Sequence, residues 1–430
     1  MIYLVLIIYF FVLYNAIGYS IRMENSVKVI FLFALFATVY YIGIPIEMLI
    51  RGSSLGAYGL VINERTQLII FSMGILSIVG FSIGYLLSGF RVNEIYPEMG
   101  SAFNKFKLSI LIVGLIFIIL LFGLFHESLL TSASSYAGNA LETYINPLYA
   151  YLKEMLFYCL AFFISIYGIG NMKRKLVAFI LTFILIFFGF LTSDKDPLLI
   201  AVLGWGIPFF YGLTRLKLQK VRVYFLVFFL ATFLIPLSTL FFSVYRADHP
   251  SAFLNRLKMN GLYIYSDAAG PMESLVEAID DPNIELKLGS TYYWGFIGWI
   301  PKSIWPNRPL DLSEKFAKEK IKNCQPGQGL GFSLLTEAYI NFGVAGALIQ
   351  YFVIGLLIGL MGKLFQWIFR EPISSFVFFI WMSYSIAIMH RGPFNLPSTY
   401  LRFVLPILSC YYLSYFSIII WEKWKAKKIV

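Results

Sequence analysis

Arg246, Arg256, Lys302, Arg308, Arg391 and Arg402 gather cationic charge near one boundary of a chain that is otherwise apolar. A guanidinium grips a phosphate through two parallel charge-assisted hydrogen bonds, so two or three converging arginines would hold a pyrophosphate and stabilise it as a leaving group. For any one of these arginines the alternative is an ion pair with a nearby Asp or Glu. Arg308 stands apart because Pro306 and Pro309 stiffen the backbone around it. A hydroxyl that attacks such a phosphoester-activated carbon must lose a proton, and the candidate bases are Asp248, His249, Asp267 and Glu337, with Asp194 and Asp196 behind them. His249 titrates near neutrality and has Asp248 beside it, whereas Glu337 near a helix end is equally suited to capping that helix. Trp294, Trp299 and Trp305, with Tyr292 and Tyr293, add flat amphipathic rings among Gly and Pro. They suit stacking on carbohydrate, and they also suit anchoring a loop at a membrane surface.

Most of these residues fall between Ser243 and Ser333, where an otherwise recurrent membrane-spanning pattern stops. Outside that interval, apolar stretches long enough to cross a bilayer recur at residues 2–21, 29–50, 67–90, 108–125, 147–168, 176–192, 198–213, 223–243, 335–361, 373–390 and 399–421. With 59% hydrophobic and 13% charged residues, a soluble domain of this size is excluded. The expectation is an all-α polytopic bundle of about eleven helices, one membrane domain over residues 1–430, with a large loop at 243–333 between helices 8 and 9. Pieces of that loop such as Pro271–Asp281 are amphipathic and are expected to lie as short helices on the outer interface.

The linkers Arg22–Lys28, Asn171–Lys175, Thr214–Arg222 and Lys363–Arg370 and the tail Trp421–Lys428 are basic and fall on alternate sides of successive helices. By the positive-inside rule they are cytoplasmic, which puts the N-terminus and the long loop outside and the C-terminus inside. The net charge of +11 is therefore mainly a topology signal. No basic stripe with interleaved aromatics points to nucleic acid, and anionic lipid is the better partner. The abundant Phe and Tyr read as lipid-facing bulk and interfacial belts, Tyr40, Tyr41, Trp421 and Trp424 among them. Lys153, Glu154 and Arg402 fall inside predicted spans and need partners there. Cys159 and Cys410 lie in predicted helices and Cys324 alone outside, so no disulfide is expected; His126, His249 and His390 are scattered, so no metal site is expected. No glycine-rich nucleotide loop is visible, and no cofactor is expected.

Three features together resemble the Wzy-type O-antigen polymerases, also called oligosaccharide repeat unit polymerases: the late outer loop, the segment Gly289–Pro309 (GSTYYWGFIGWIPKSIWPNRP) and the helix start Gly327–Gly346 (GQGLGFSLLTEAYINFGVAG). The specific likeness covers about a quarter of the chain and rests on Pro301, Trp305, Pro306 and Pro309 and on the run Glu337–Gly343. What the resemblance implies is a metal-independent, inverting glycosyltransferase of GT-C-like fold in the bacterial inner membrane. It would join undecaprenyl-pyrophosphate-linked repeat units on the periplasmic face, in lipopolysaccharide biosynthesis, alongside a polysaccharide co-polymerase that regulates chain length. Arg246, Arg308 and Arg391 are the positions to which loop arginines carry over, with Arg402 and Lys302 as further pyrophosphate contacts. Asp248, His249 and Glu337 are the catalytic candidates, and Trp294, Trp305 and Tyr339 the glycan contacts.

Two other functions share many of these features. An O-antigen ligase has a large outer loop and the same donor but transfers to lipid A core. A lipid-linked oligosaccharide flippase is also a basic, aromatic-rich bundle with buried charges, yet it needs no such loop and usually carries related halves, which residues 1–215 and 216–430 do not show.

Overall fold

The computed structural model describes residues 2–23, 28–51, 62–91, 147–191, 196–215, 221–247, 261–298, 300, 304–320, 331–368, 373–390 and 392–395, except 265, 267 and 268, together with five isolated positions. Two expected spans, 108–125 and 399–421, lie essentially outside the described residues. Helices are the only regular elements among those described. Internal contacts divide the chain into two compact units, one of Met1–Asn93, Leu213–Ile368 and Met382–Pro397, the other of Glu94–Gly212, Phe369–Trp381 and Ser398–Val430. Five helices are long and apolar enough to cross a membrane: Ile2–Arg22, Val29–Arg51, Glu64–Leu87, Val221–Phe241 and Val344–Ile368. All five belong to the first unit.

The first unit opens with α1 (Ile2–Met23), α2 (Val29–Ala37), a π-helical turn (Thr38–Ile42), α3 (Gly43–Arg51) and α4 (Glu64–Leu87). The span made of α2, the π turn and α3 is the enclosed one, with 89% of its apolar window buried against 28% for Val221–Phe241. Its widened turn sits just ahead of Pro45, which has no N–H to return to the Tyr41 carbonyl, and that missing bond favours a local change of helical pitch. Tyr40 and Tyr41 on this turn are buried, and the Tyr41 hydroxyl lies 2.6 Å from that of Tyr351. These two tyrosines are therefore interior contacts, contrary to the interfacial-belt reading.

The second unit contains α5 (Pro147–Gly168), α6 (Met172–Leu191) and most of α7 (Asp196–Arg215). Ser165 Oγ donates to the Gly204 carbonyl at 2.6 Å and Trp205 Nε1 to Thr182 Oγ1 at 2.8 Å, so α7 is hydrogen-bonded to both α5 and α6. Polar side chains that bond between apolar helices serve where water is absent. Lys153, buried on α5, places its ammonium 5.7 Å from the centre of the Tyr149 ring.

The first unit continues with α8 (Val221–Ala247), then α9 (Ala269–Asp280), α10 (Tyr293–Ile297), α11 (Leu312–Lys320), α12 (Leu334–Phe342) and α13 (Val344–Ile368); α14 is Ile373–Met389. α4 and α13 pack backbone to backbone through paired small-residue motifs, Gly80/Gly84 on one and Gly355/Gly359 on the other. A Cβ at Gly84 would overlap the Phe352 carbonyl and one at Gly355 the Phe81 carbonyl.

The apolar run expected as one span at 335–361 is broken at Gly343, where φ is +63°. That conformation ends α12 with the Gly343 N–H donating to the Tyr339 carbonyl at 2.8 Å, and α13 begins one residue later. Gly346 lies so close to the Ala338 carbonyl that any side chain there would collide, so α12 folds back tightly on the start of α13. The amphipathic segment expected on the outer interface also differs: it forms α9, but Met272, Glu273, Ser274, Leu275 and Val276 are buried, and the helix packs on α12.

Candidate active site

Glu337 sits in the first helical turns of α12, where Ser333 makes the N-cap by accepting the Thr336 N–H at 3.0 Å. The cap role open to Glu337 is thus taken by Ser333, which frees the carboxylate to reach other segments. Thr291 Oγ1 donates to Glu337 Oε1 at 2.7 Å, and the backbone N–H of Phe394 donates to Oε2 at 2.5 Å. Four residues on, one helical turn away on the same face, Asn341 Nδ2 donates to Thr291 Oγ1 at 2.6 Å while its Oδ1 accepts the Gly289 N–H at 2.7 Å. The Lys287 and Leu288 N–H groups bond the Ile340 and Asn341 carbonyls at 3.0 and 3.2 Å. Three stretches far apart in sequence, at 287–294, 337–342 and 392–395, are therefore clasped at one carboxylate.

The side chain of Glu337 is part of a residue only 1% exposed. Burial pushes its carboxyl up to about 7, against the opposing pull of the Thr291 hydroxyl and the Phe394 N–H, which favour the ionised form. Both neighbours donate, one to each oxygen, so the hydrogen bonding favours the carboxylate, while the apolar surroundings prefer the acid. The group is balanced between its two states near neutral pH. Burial likewise raises the Tyr292 hydroxyl, with the Glu337 charge acting in the same direction, and Tyr292 donates to Gln350 Oε1 at 2.6 Å.

His390, the last residue before the Arg391–Phe394 stretch, is fully buried in an aromatic enclosure. Its ring centre lies 4.9 Å from that of Tyr41, 5.3 Å from Phe33, 5.9 Å from Tyr40 and 6.1 Å from Phe36. His390 Nδ1 pairs with the Ile386 carbonyl at 2.6 Å. His390 and Phe394, the latter through its N–H bonded to Glu337, are thus both held by the protein interior, and Arg391 between them lies outside the described residues.

A second carboxylate, Glu47 on α3, organises the segment after residue 260. It accepts the backbone N–H groups of Leu262, Tyr263 and Ile264 at 2.7, 2.6 and 3.0 Å, and Arg51 Nε lies 3.4 Å away. Gly261 adopts φ +93°, and a Cβ there would stand 2.7 Å from Glu47 Oε1, so the close approach requires glycine.

Arg308 Nη1 donates to the carbonyls of Gly298 and Ile300 at 2.5 and 2.7 Å, and the guanidinium lies 5.4 Å from the Trp294 ring centre. Trp294 Nε1 in turn donates to the Pro309 carbonyl at 3.1 Å. Arg308 therefore ties together the turn between Trp294 and Pro309. Beside this turn lies an open cleft of about 980 Å3, lined among others by Tyr293, Trp294, Phe316 and Thr291. Trp305 and Tyr339, each partly exposed, are not among its described lining residues. Asp248, His249, Lys302, Arg391 and Arg402 lie outside the described residues, as does the side chain of Arg246 at the end of α8. Among the described residues, no cluster of His, Cys, Asp or Glu has a metal-binding arrangement.

Sequence reasoning reached Glu337, Arg308 and Trp294 but passed over Thr291, Asn341, Phe394 and Glu47. For Glu47 a signal was available: it is an acid inside an apolar span, and such residues find partners. Thr291 carries no comparable signal, because a threonine in a loop is unremarkable until its neighbours are known.

A family model described as "O-antigen polysaccharide polymerase Wzy" matches residues 1–418. No curated protein and no solved structure gives a match.

Proposed function

Since the chain belongs to the O-antigen polysaccharide polymerase Wzy family, we propose that it is a glycosyltransferase that joins undecaprenyl-pyrophosphate-linked oligosaccharide repeat units on the periplasmic face of the inner membrane. A hydroxyl at the non-reducing end of one lipid-linked unit attacks the anomeric carbon of the growing glycan on a second lipid. The bond from that carbon to the pyrophosphate oxygen breaks, its electron pair leaves with undecaprenyl pyrophosphate, and the acceptor proton passes to a base. A single displacement of this kind inverts the anomeric centre. The chemistry needs cations on the leaving group and accurate placement of the two glycans, and no covalent nucleophile.

The observation that carries this reading is the clasp at Glu337. It supports a site in which the Gly289–Trp294 segment, α12 and residues 392–395 act together; Arg246, Arg391 and Arg402 stay the proposed pyrophosphate contacts of the enzyme. Asp248 and His249 remain the candidate bases, because both Glu337 oxygens already have partners. Glu337 acts chiefly by holding the two flanking segments in register, and Arg308 by holding the Trp294 turn.

The test is lipopolysaccharide banding in a strain lacking the gene, complemented with wild type or with Arg246→Ala, Arg391→Ala, His249→Ala or Glu337→Gln, each checked for membrane abundance. Core carrying one repeat in the deletion strain, reproduced by an arginine variant, is the expected result. Uncapped core with long glycan retained on lipid carrier would make the protein a ligase and overturn the proposal. Full ladders from every variant would remove the assigned site.

A further inference from the structure

α8 is interrupted in its interior by Pro236, which has no N–H to return to the Thr232 carbonyl four residues earlier. Thr232 lies inside the candidate span Val221–Phe241, and at such a depth in apolar surroundings a carbonyl without a donor is costly. Three hydroxyls near the proline bond other carbonyls: Thr232 Oγ1 donates to Phe229, Ser238 Oγ to Ile235 and Thr239 Oγ1 to Pro236, at 2.7, 2.7 and 3.1 Å. The Thr232 carbonyl is served from outside the helix. Tyr263 Oη donates to it at 2.7 Å, from a position 31 residues further along the chain.

Tyr263 is itself held on two sides. Its backbone N–H donates to Glu47 Oε2 at 2.6 Å, the middle one of the three consecutive N–H groups that Glu47 receives. Its ring fills the space at Gly43, where a Cβ would overlap it, directly after the π-helical turn. The side chain therefore bridges the enclosed span, to which Gly43 and Glu47 belong, and the proline of α8. A missing bond at a proline leaves a helix free to bend, and sharp bends at such points exceed about 20°. Ten residues beyond Pro236, α8 carries the backbone of Arg246, about 15 Å away at 1.5 Å per residue. A bend of about 20° would carry that point sideways by about 5 Å. Misplacement by about 1 Å can already cost a hundredfold in rate.

We propose that Tyr263 is a positioning residue: its hydroxyl latches the Pro236 hinge of α8 and so fixes, for the transfer reaction, the C-terminal end of that helix, which carries Arg246. The bearing on transfer rests on the polymerase reading, while the latch itself is measured without turnover. Full-length protein with Cys159, Cys324 and Cys410 replaced by Ala, and still forming ladders, is spin-labelled in nanodiscs. One label pair is Phe241→Cys with Asn283→Cys, beyond the proline; the other is Leu226→Cys with Asn283→Cys, before it, all three being exposed positions. Tyr263→Phe keeps the ring and loses the donor. By dipolar spectroscopy it is expected to shift or broaden the Phe241–Asn283 distance by about 2 Å or more, the displacement that a bend of about 20° makes about 7.5 Å from the hinge. The Leu226–Asn283 distance is expected to stay as in wild type. Pro236→Ala returns an N–H to the Thr232 carbonyl, so adding Tyr263→Phe to it is expected to move the Phe241–Asn283 distance no further. That double variant pairs the carbonyl within the helix and stays measurable even where Tyr263→Phe alone is poorly abundant. In the complemented deletion strain Tyr263→Phe is expected to cut polymerisation at least tenfold at equal membrane abundance. A Phe241–Asn283 distance unmoved by Tyr263→Phe, equal broadening at both label pairs, a shift of the same size on the Pro236→Ala background, or full ladders from Tyr263→Phe would each overturn the proposal. Uncapped core in the deletion strain removes the polymerase reading and leaves the hinge measurement standing.

Discussion

Glu47 and Glu337 are both buried carboxylates that bind the backbone of a distant segment, yet they are built for different ends. Glu47 accepts three consecutive N–H groups and has the Arg51 guanidinium at 3.4 Å, so its charge is compensated several times over. Glu337 has one N–H and one hydroxyl, and no ion pair to it is found among the described residues. The first is an anchor whose partners are three backbone donors and a guanidinium. The second holds an under-compensated charge at the meeting point of three segments, an arrangement that burial makes unstable to protonation and that functional sites commonly use. A carboxylate that merely fixes a loop gains from being over-satisfied; one that is kept poised near neutral pH gains from the opposite.

The largest expected effect follows from removing the anchor. Glu47→Ala leaves three donors without an acceptor, and at about 1–3 kcal/mol for a buried unsatisfied group the total loss should be on the order of 4 kcal/mol. Thermal unfolding of the purified protein and its abundance in membranes should both fall sharply. If abundance and unfolding temperature stay at wild-type levels, the segment after residue 260 is held by something else.

Glu337→Gln should instead spare the fold and strike the reaction. A glutamine whose Oε1 accepts the Phe394 N–H can reach Thr291 only by donating its Nε2 to Oγ1, which reverses that bond, leaves the Thr291 hydroxyl hydrogen without its acceptor and removes the charge from the clasp. We expect membrane abundance within about twofold of wild type and a fall in polymerisation rate of about a hundredfold, equivalent to ~2.7 kcal/mol on the barrier. Full ladders from this variant would make Glu337 a second anchor of the Glu47 kind and dissolve the contrast between them.

A smaller effect is expected at the residue that lets the anchor close. Gly261→Ala asks a side chain to adopt φ +93° and to stand 2.7 Å from Glu47 Oε1. Strain of this sort costs of order 1–3 kcal/mol, so the unfolding temperature should drop by less than in Glu47→Ala. The two substitutions act on one contact, and the double variant should be little worse than Glu47→Ala alone.

Much of the contrast was hidden at the level of sequence for identifiable reasons. Hydropathy marks the apolar runs and the long interruption between Ser243 and Ser333, because both are averages over many residues, and the run Glu337–Gly343 stands out in motif comparison. Hydropathy is blind to the break at Gly343, since apolar residues flank it on both sides and only the sign of φ at one glycine separates α12 from α13. It also assigns Tyr40 and Tyr41 to a membrane-facing belt, because an aromatic residue in an apolar run has the same composition whether it faces lipid or the Tyr351 hydroxyl. The burial of α9 fails to show for a related reason: an amphipathic stripe says that one face wants cover, and α12 supplies the cover where a membrane surface was expected. The pairing of Gly80/Gly84 with Gly355/Gly359 was readable in spacing but needs the knowledge that these two helices are neighbours.

The finest test of the Glu337 arrangement lies in pH. Glu337 is held at about 7 in the folded protein, above the 4.5 of an unperturbed glutamate, because burial outweighs its two hydrogen bonds. A folded-state value raised above the unfolded one means that the folded chain binds the extra proton between those limits. Its contribution to stability is fully present below pH 4.5 and is lost as pH rises through 7. At ~1.4 kcal/mol per unit of pH over which the folded state alone is protonated, the change between pH 6 and 8 should be about 1.4 kcal/mol. Glu337→Gln has no proton to lose, so the unfolding temperature of wild type relative to this variant should fall from pH 6 to pH 8. A flat difference would mean that Glu337 is ionised throughout and that its place at the junction of three segments is a matter of architecture alone.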